Sequence, residues 1–169
     1  MMAWNADVTR LPARMHGEYL HRFFLENALA EGEYEVEGEP VSLLDIRQPM
    51  FVVGTVRDQV SPWHSVYKVL RQTRSEVTFL LASGGHNAGI VSEPGHPKRS
   101  YQMHLHRLQD PAISAEAWQK SMPIQQGSWW PAWQQWLASH SSAPRKSQVL
   151  PKQYQLHAAP GEYVLKKFD

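Results

Sequence analysis

The sequence contains no cysteine among its 169 residues. The chain can therefore form no disulfide, no thiolate metal site and no cysteine nucleophile of its own. An acyl-transfer reaction that needs a thiolate would have to obtain it from outside these residues.

The chain also lacks an excess of charge of either sign. Its 17 basic and 16 acidic residues give a formal net charge of +1, which provides no footprint for a phosphate backbone or an anionic membrane. No apolar run approaches the roughly 20 residues that span a bilayer, and the start MMAWNADVTR lacks the features of a secretory signal. We therefore expect a soluble, cytoplasmic chain that binds neither nucleic acid nor membranes.

What is present is a pattern typical of a βαβ unit in an α/β protein. Pro49–Gly54 and Val77–Ala82 are short apolar runs of the kind found in strands that are buried on both faces. Between them, Ser61 is expected to cap a helix with Pro62 at its first position. The length of the chain favours a single domain.

An acid and a histidine follow the two predicted strands. Asp58 comes after the first strand and His86 after the second. Because parallel strands open at the same edge of the sheet, both residues are expected at the carboxyl edge, where α/β proteins place their sites. A carboxylate there can fix the tautomer of the imidazole and leave its other nitrogen free to act as a base. The spacing alone also fits a capped turn acid and a solvated histidine.

The nucleophile that such a pair would serve is missing. No serine in the chain has glycine at both flanking spacings of the G-x-S-x-G elbow. The residues by themselves thus indicate two parts of a catalytic triad and leave the third unassigned.

The remaining patterns predict further elements in chain order: a helix over Met15–Ala30, a hairpin over Glu33–Val41, a helical turn over Ser42–Arg47, a strand over Tyr101–Leu108, helices over Ser114–Lys120 and Gly127–Leu137, and a last strand over Tyr163–Leu165. In the second of these two helices, Ser128 is the expected cap, and Trp129, Trp133 and Trp136 share a face that we interpret as core.

Several blocks together carry a family resemblance: WNADVTRLPARMH (Trp4–His16), YLHRFFLENAL (Tyr19–Leu29), GTVRDQVSPW (Gly54–Trp63), SGGHNAGIVSEP (Ser83–Pro94), GSWWPAWQQWL (Gly127–Leu137) and APGEYVLKK (Ala159–Lys167). In this order they resemble the carboxyl-terminal part of polyhydroxyalkanoate synthases, also called poly-β-hydroxybutyrate polymerases. The resemblance implies part of an α/β-hydrolase fold with few parallel strands and flanking helices. It also implies an acyltransferase that polymerises hydroxyacyl-coenzyme A thioesters on a cysteine, without a cofactor.

The resemblance assigns roles to the acid and the histidine. Asp58 in the RDQVSPW block matches the family's catalytic aspartate, and His86 in the GHNAG block matches its catalytic histidine. His86 would promote thiolate attack on the acyl thioester, and Asp58 would help deprotonate the 3-hydroxyl of the incoming monomer. Two features depart from the family: the nucleophile cysteine is absent, and Gln59 stands where many members have histidine.

The leading hypothesis is therefore a carboxyl-terminal fragment of a polyester synthase, inactive alone. Residues 1–138 would form a partial catalytic domain, and residues 139–169 a linker and tail packed on the same domain. Its partners would be the hydroxyacyl-coenzyme A substrate, the polyester product, and either the missing amino-terminal half or a second copy. The alternatives are a fragment of an esterase or depolymerase of the same fold, and a non-catalytic module that associates with a synthase or with polyester granules.

Other polar residues receive plainer interpretations. His104 and His106 share one face of a predicted strand, but with His96 they show no recognisable ligand spacing, so we predict no metal. Lys98 and Arg99 lie near the His86 turn and are candidates for contact with coenzyme A phosphates, although adjacent surface bases seldom have such a role.

Overall fold

The computed structural model of the chain describes residues 10–147, 149, 151 and 161. The strand predicted over Tyr163–Leu165 lies outside these residues, as does most of the predicted tail. Within the described part of the chain, no helix is long and apolar enough to cross a membrane.

The amino-terminal helical segment is divided into three pieces. Helix α1 covers Ala13–Tyr19, a π-helical stretch covers Leu20–Leu25, and helix α2 covers Ala28–Glu31. The prediction of one continuous helix is wrong at two points. The hydrogen bonding changes from α-helical to π-helical at Leu20, and Asn27, in a left-handed conformation with φ of 54°, separates the π-helical stretch from α2.

A small hairpin follows, as predicted. Strands β1 (Glu35–Val36) and β2 (Glu39–Pro40) pair antiparallel. Both residues between them have positive φ, 55° at Glu37 and 85° at Gly38, as two-residue hairpin turns require. The predicted helical turn is a 3₁₀ turn over Leu43–Asp45.

The predicted βαβ unit is confirmed, but the single helix predicted between its strands is divided into two short ones. Strand β3 covers Met50–Arg57, helices α3 and α4 cover Trp63–Tyr67 and Val69–Gln72, and strand β4 covers Val77–Gly85. Strands β3 and β4 run parallel. The predicted cap at Ser61 is wrong, because the helix begins one residue later and Pro62 occupies the cap position.

The rest of the sheet is antiparallel, so the sheet is mixed. Strand β5 (Ser100–His106) pairs with β4, helix α5 covers Ala115–Ser121, strand β6 (Gln125–Gln126) pairs with β5, and helix α6 covers Trp130–Ser139. The order is β3-β4-β5-β6, which places β3 at one edge. The expectation of parallel strands thus holds for one pair of the three.

Strand β4 is the centre of the core and is buried on both faces. One face presents Phe79 and Leu81 to a cluster completed by Trp63, Tyr67 and Trp118. The other presents Leu80 and Ala82 to Trp129 at the start of α6. A strand covered on both sides explains why this run is continuously apolar rather than alternating.

The tryptophan helix differs from its prediction in two respects. Trp129, and not Ser128, occupies the cap position, although the Ser128 hydroxyl still accepts a hydrogen bond from the Trp130 N–H at 3.1 Å. Trp129 is buried, whereas Trp133 is 41 % exposed, so the predicted tryptophan face is only partly core.

Candidate active site at the ends of two parallel strands

The register of β3 and β4 brings Asp58 and His86 to the same place. Arg57 and Gly85, the last residues of the two strands, are partners across the parallel pair, so Asp58 and His86 leave the sheet side by side. The register shifts just before this point, since Thr55 pairs with Ala82 and Arg57 with Gly85. Strand β4 therefore contains one extra residue there, a bulge of the kind that re-aims side chains next to sites.

The two side chains meet, as their positions in the sequence predict. His86 Nδ1 lies 3.1 Å from Asp58 Oδ1 and 3.0 Å from Oδ2. Because an ionised carboxylate only accepts hydrogen bonds, Nδ1 carries the proton in this contact. The Nε2 atom of a neutral His86 is then unprotonated and available as a base.

The carboxylate of Asp58 is fixed by its own turn. Its Oδ1 atom accepts hydrogen bonds from the backbone N–H groups of Val60, at 2.9 Å, and Ser61, at 2.8 Å. The Asp58 side chain is 9 % exposed, whereas that of His86 is 51 % exposed. The acid is thus held beneath the imidazole, and the imidazole faces the open edge of the sheet.

These contacts lower the pKa of Asp58. The largest cause is the hydrogen bond from the Ser61 backbone, burial acts in the opposite direction, and the hydrogen bond from His86 lowers the pKa further. Hydrogen bonds to the charged form of a carboxyl stabilise that form. Asp58 is therefore ionised at neutral pH and able to orient His86.

The turn that carries His86 is built on close backbone contacts. Gly84 has φ of 118°, and a Cβ atom there would lie 2.8 Å from the Gly89 Cα atom. The Gly89 N–H donates to the Gly85 carbonyl at 2.8 Å, which closes one helical turn around His86. Only glycine adopts such a backbone freely and leaves room for this approach.

The site has contributions that the sequence patterns did not reveal. The backbone N–H groups that hold Asp58 belong to Val60 and Ser61, whereas the sequence pattern assigns Ser61 only the role of a helix cap. An aspartate two residues before a potential donor is the signal that would have found them, since Asp readily bonds to backbone N–H groups just after it.

The other residues that the sequence singles out are three histidines and two bases, which lie on β5 or just before it. Among the described residues, no group of three histidine, aspartate or glutamate side chains is arranged to hold a metal ion. His96 Nδ1 lies 2.6 Å from the Pro97 carbonyl oxygen, and an Arg99 guanidinium nitrogen donates to the Val91 carbonyl at 3.4 Å. Arg99 therefore helps to brace the loop after His86, and its contact with coenzyme A stays a prediction.

Comparison with known proteins agrees with the resemblance carried by the motifs. Poly(3-hydroxyalkanoate) polymerase 2 of Ectopseudomonas oleovorans is 35 % identical over 170 residues, which cover 98 % of this chain and 29 % of that protein. The poly(3-hydroxyalkanoate) polymerase subunit PhaC of Rhizobium meliloti (strain 1021) is 34 % identical over 173 residues, covering 97 % of this chain and 26 % of the relative. The PhaC subunit of Cupriavidus necator is 32 % identical over 174 residues, covering 99 % and 28 %.

No protein-family model matches the chain. The chain spans between 26 % and 29 % of the length of the curated relatives that it matches. The similarity nevertheless covers nearly all of this chain, and each of these relatives is named a poly(3-hydroxyalkanoate) polymerase or a subunit of one. By sequence, nearly the whole chain is homologous to a segment of the polyhydroxyalkanoate synthases.

Proposed function

We propose that the chain supplies the aspartate and the histidine of a Cys-His-Asp acyl-transfer site that polymerises hydroxyacyl-coenzyme A thioesters into a polyester. The observation that carries this proposal is the contact of His86 Nδ1 with both oxygens of Asp58, at 3.1 and 3.0 Å. The pair occurs in a chain whose relatives are named polymerases and which has no cysteine of its own.

In the first half-reaction, Nε2 of His86 removes the proton from the cysteine thiol. The thiolate attacks the carbonyl carbon of the hydroxyacyl thioester, and the bond to the coenzyme A sulfur breaks. The departing thiolate takes the proton from the imidazolium and leaves as free coenzyme A. Asp58 keeps the imidazole in the Nδ1–H tautomer and stabilises the imidazolium while it exists.

In the second half-reaction, the 3-hydroxyl of an acyl group is the nucleophile. Its proton passes to His86, with Asp58 assisting directly or through the imidazole, and its oxygen attacks the carbonyl carbon of a second acyl thioester. One ester bond forms and one thioester bond breaks. The released thiolate takes the proton from the His86 imidazolium, and the polymer has grown by one unit. The His86 side chain is 51 % exposed, which fits such an exchange of acyl groups at an open edge.

The nucleophile has to come from another stretch of polypeptide. Strand β3 is at the edge of the described sheet, next to Asp58, and an additional strand can pair there. The source is either a preceding portion of the same polypeptide or a separate polymerase chain that contains the cysteine, since a second copy of these residues contains none. We infer that residues 1–138 are a partial catalytic domain and that residues 139–169 are its linker and tail. The assembled enzyme works in the cytoplasm at polyester granules. This chain alone is inactive.

The esterase or depolymerase alternative gains no support from the relatives, which are named polymerases. The same names do not favour a non-catalytic module, although the lack of a cysteine is compatible with one.

A chimera tests the proposal. The aligned segment of the Ectopseudomonas oleovorans polymerase 2 is replaced by this chain, and coenzyme A release from 3-hydroxyacyl-coenzyme A is measured. We expect polymerisation that is lost in His86→Gln and retained in His104→Gln, which changes an exposed histidine on β5. A folded chimera that is inactive, or one equally active with His86→Gln, would refute the proposed role.

A further inference from the structure

Three consecutive residues bind the backbone of the loop that follows His86. The Trp129 indole N–H donates to the Gly89 carbonyl at 3.0 Å, and the Trp130 indole N–H donates to the Ile90 carbonyl at 2.9 Å. The Ser128 hydroxyl donates to the Ser92 carbonyl. A segment about 40 positions away in sequence thus holds three carbonyls of this loop, the nearest of them three residues after the histidine.

The start of the loop is attached to the sheet without these bonds. Its start continues β4, and one turn closes over it through the Gly89 N–H bond to the Gly85 carbonyl at 2.8 Å. Residues 86–88 and 90–91 are exposed, whereas Gly89 and Ser92 are buried. The tryptophan and serine bonds therefore act further along the loop, where an Arg99 guanidinium nitrogen also donates to the Val91 carbonyl at 3.4 Å.

The donors themselves are fixed by the core. Trp129 is 6 % exposed and packs in one cluster with Leu80 and Ala82. Its ring is stacked with that of Phe51 on β3 at a centroid distance of 6.4 Å. The Trp130 ring meets the Trp129 ring edge-on at 6.5 Å. Because close-packed rings have little freedom, the two N–H groups are held at set positions relative to both strands.

We propose that Trp129 and Trp130 are positioning residues for His86, and that their indole N–H groups keep the turn where Nδ1 reaches both oxygens of Asp58. Packing alone does not need these atoms, since phenylalanine offers a similar apolar ring without a donor. The Gly89 carbonyl is in a buried contact, so without its donor it is left with the cost of desolvation, which favours a shift of the turn. The Ile90 carbonyl is exposed, so the loss of its donor removes one bond that fixes the position of the turn. The catalytic consequence rests on the proposed function, whereas the positioning itself does not.

The test uses Trp129→Phe and Trp130→Phe, each of which keeps an aromatic ring and removes one N–H group. Trp133→Phe is the matched control, because that tryptophan is on the same helix, is 41 % exposed, and makes no indole hydrogen bond within the part of the chain that the structure describes. Folding of every variant is checked by circular dichroism. If Trp129→Phe does not fold, Trp130→Phe still decides, since its side chain is less buried.

The first readout is the tautomer of His86 in this chain, from long-range ¹H–¹⁵N correlations of the imidazole. We expect the Nδ1–H form to dominate in the unmodified protein and in Trp133→Phe, and a shift toward an even mixture in the other two variants. Labelling of His86 by diethyl pyrocarbonate, followed by mass spectrometry at low protein concentration, gives the same comparison if the chain associates. Folded Trp129→Phe and Trp130→Phe variants with an unchanged tautomer and labelling rate would overturn the inference.

The second readout separates this inference from the proposed function. In the active chimera, the two variants should lower kcat more than they raise KM, since they displace a base and not a binding group. If the chimera has no activity while the His86 tautomer still depends on Trp129 and Trp130, the positioning role stands and the proposed function fails.

Discussion

Gly89 lies directly against Thr55. A Cβ atom built on Gly89 would lie 2.8 Å from the Thr55 Cβ atom, which is closer than two carbon atoms that are not bonded can approach. Thr55 is 2 % exposed and is part of β3, three residues before Asp58. The turn that carries His86 therefore rests on the strand that carries Asp58, and the separation of the two side chains depends on this contact.

We expect Gly89→Ala to push the turn away from β3. Overpacking of a tight contact typically costs about 1–3 kcal/mol, and the displaced turn should also lengthen the distance from His86 to Asp58. Urea unfolding gives the loss of stability, and the His86 tautomer reports the contact between His86 and Asp58.

The control is Gly17→Ala. A Cβ atom on Gly17, which lies in α1, would have nothing within 4 Å, so the change should be neutral or stabilise the chain by up to about 1 kcal/mol. Equal stability of the two variants would contradict the tight contact.

The lowered pKa of Asp58 predicts how stability depends on pH. A carboxyl with a depressed pKa in the folded state contributes its full stabilisation above its unfolded pKa of about 3.9 and loses it as the pH falls through the lower folded value. The stability difference between the unmodified chain and Asp58→Asn should therefore be largest near neutral pH and shrink below about pH 4.

Urea unfolding at a series of pH values measures this difference. Asp45→Asn serves as the control for loss of a carboxylate at an exposed position in the 3₁₀ turn. A difference between the unmodified chain and Asp58→Asn that grows as the pH is lowered would show that the pKa of Asp58 is raised instead.

The sequence predicts the part of the fold that depends on burial. Val77–Ala82 is apolar throughout because both faces of β4 are covered, and this pattern indicates a central strand without knowledge of its neighbours. The meeting of Asp58 with His86 then follows from the parallel direction of the two strands.

The details that escape prediction depend on single residues and single contacts. Ser61 has the residue type of a helix cap, but its backbone N–H donates to the Asp58 carboxylate as part of the turn, and the helix begins beyond it with Pro62 at the cap position. Helical spacing identifies Trp129 as a core residue, yet it carries no information about where its indole N–H points. The interruption at Asn27 is a single left-handed residue within an otherwise helical pattern.

The isolated chain is expected to self-associate. Strand β3 is at a sheet edge, and Phe24 and Leu25 in the π-helical stretch are 69 % and 77 % exposed. Open strand edges and exposed apolar groups favour association between chains. Sedimentation velocity over a range of concentrations should show species larger than a monomer.

Replacing both Phe24 and Leu25 with glutamine should reduce this association, because it removes apolar surface without touching the sheet. The control is a paired change of Glu33 and Glu35 to glutamine, which alters two polar positions at the start of the β1–β2 hairpin and leaves the apolar surface as it is. A chain that remains a monomer at every concentration would show that neither the edge nor the apolar surface needs a partner.

Asp58→Asn should abolish most activity of the chimera while leaving its fold intact. An asparagine oxygen can still accept the N–H groups of Val60 and Ser61, which now bond to the carboxylate at 2.9 and 2.8 Å. Its neutral amide, however, neither stabilises an imidazolium nor enforces the Nδ1–H tautomer, and the corresponding change in a serine protease triad lowers kcat by about 10⁴. We expect a loss of about 10²–10⁴ in kcat with a small change in KM.

The control is Asp110→Asn. Asp110 also accepts a hydrogen bond from a backbone N–H, at 2.7 Å, but it is remote in sequence from Asp58 and His86, so the variant should retain activity. If Asp58→Asn and Asp110→Asn are equally active, the carboxylate serves the turn and not the histidine.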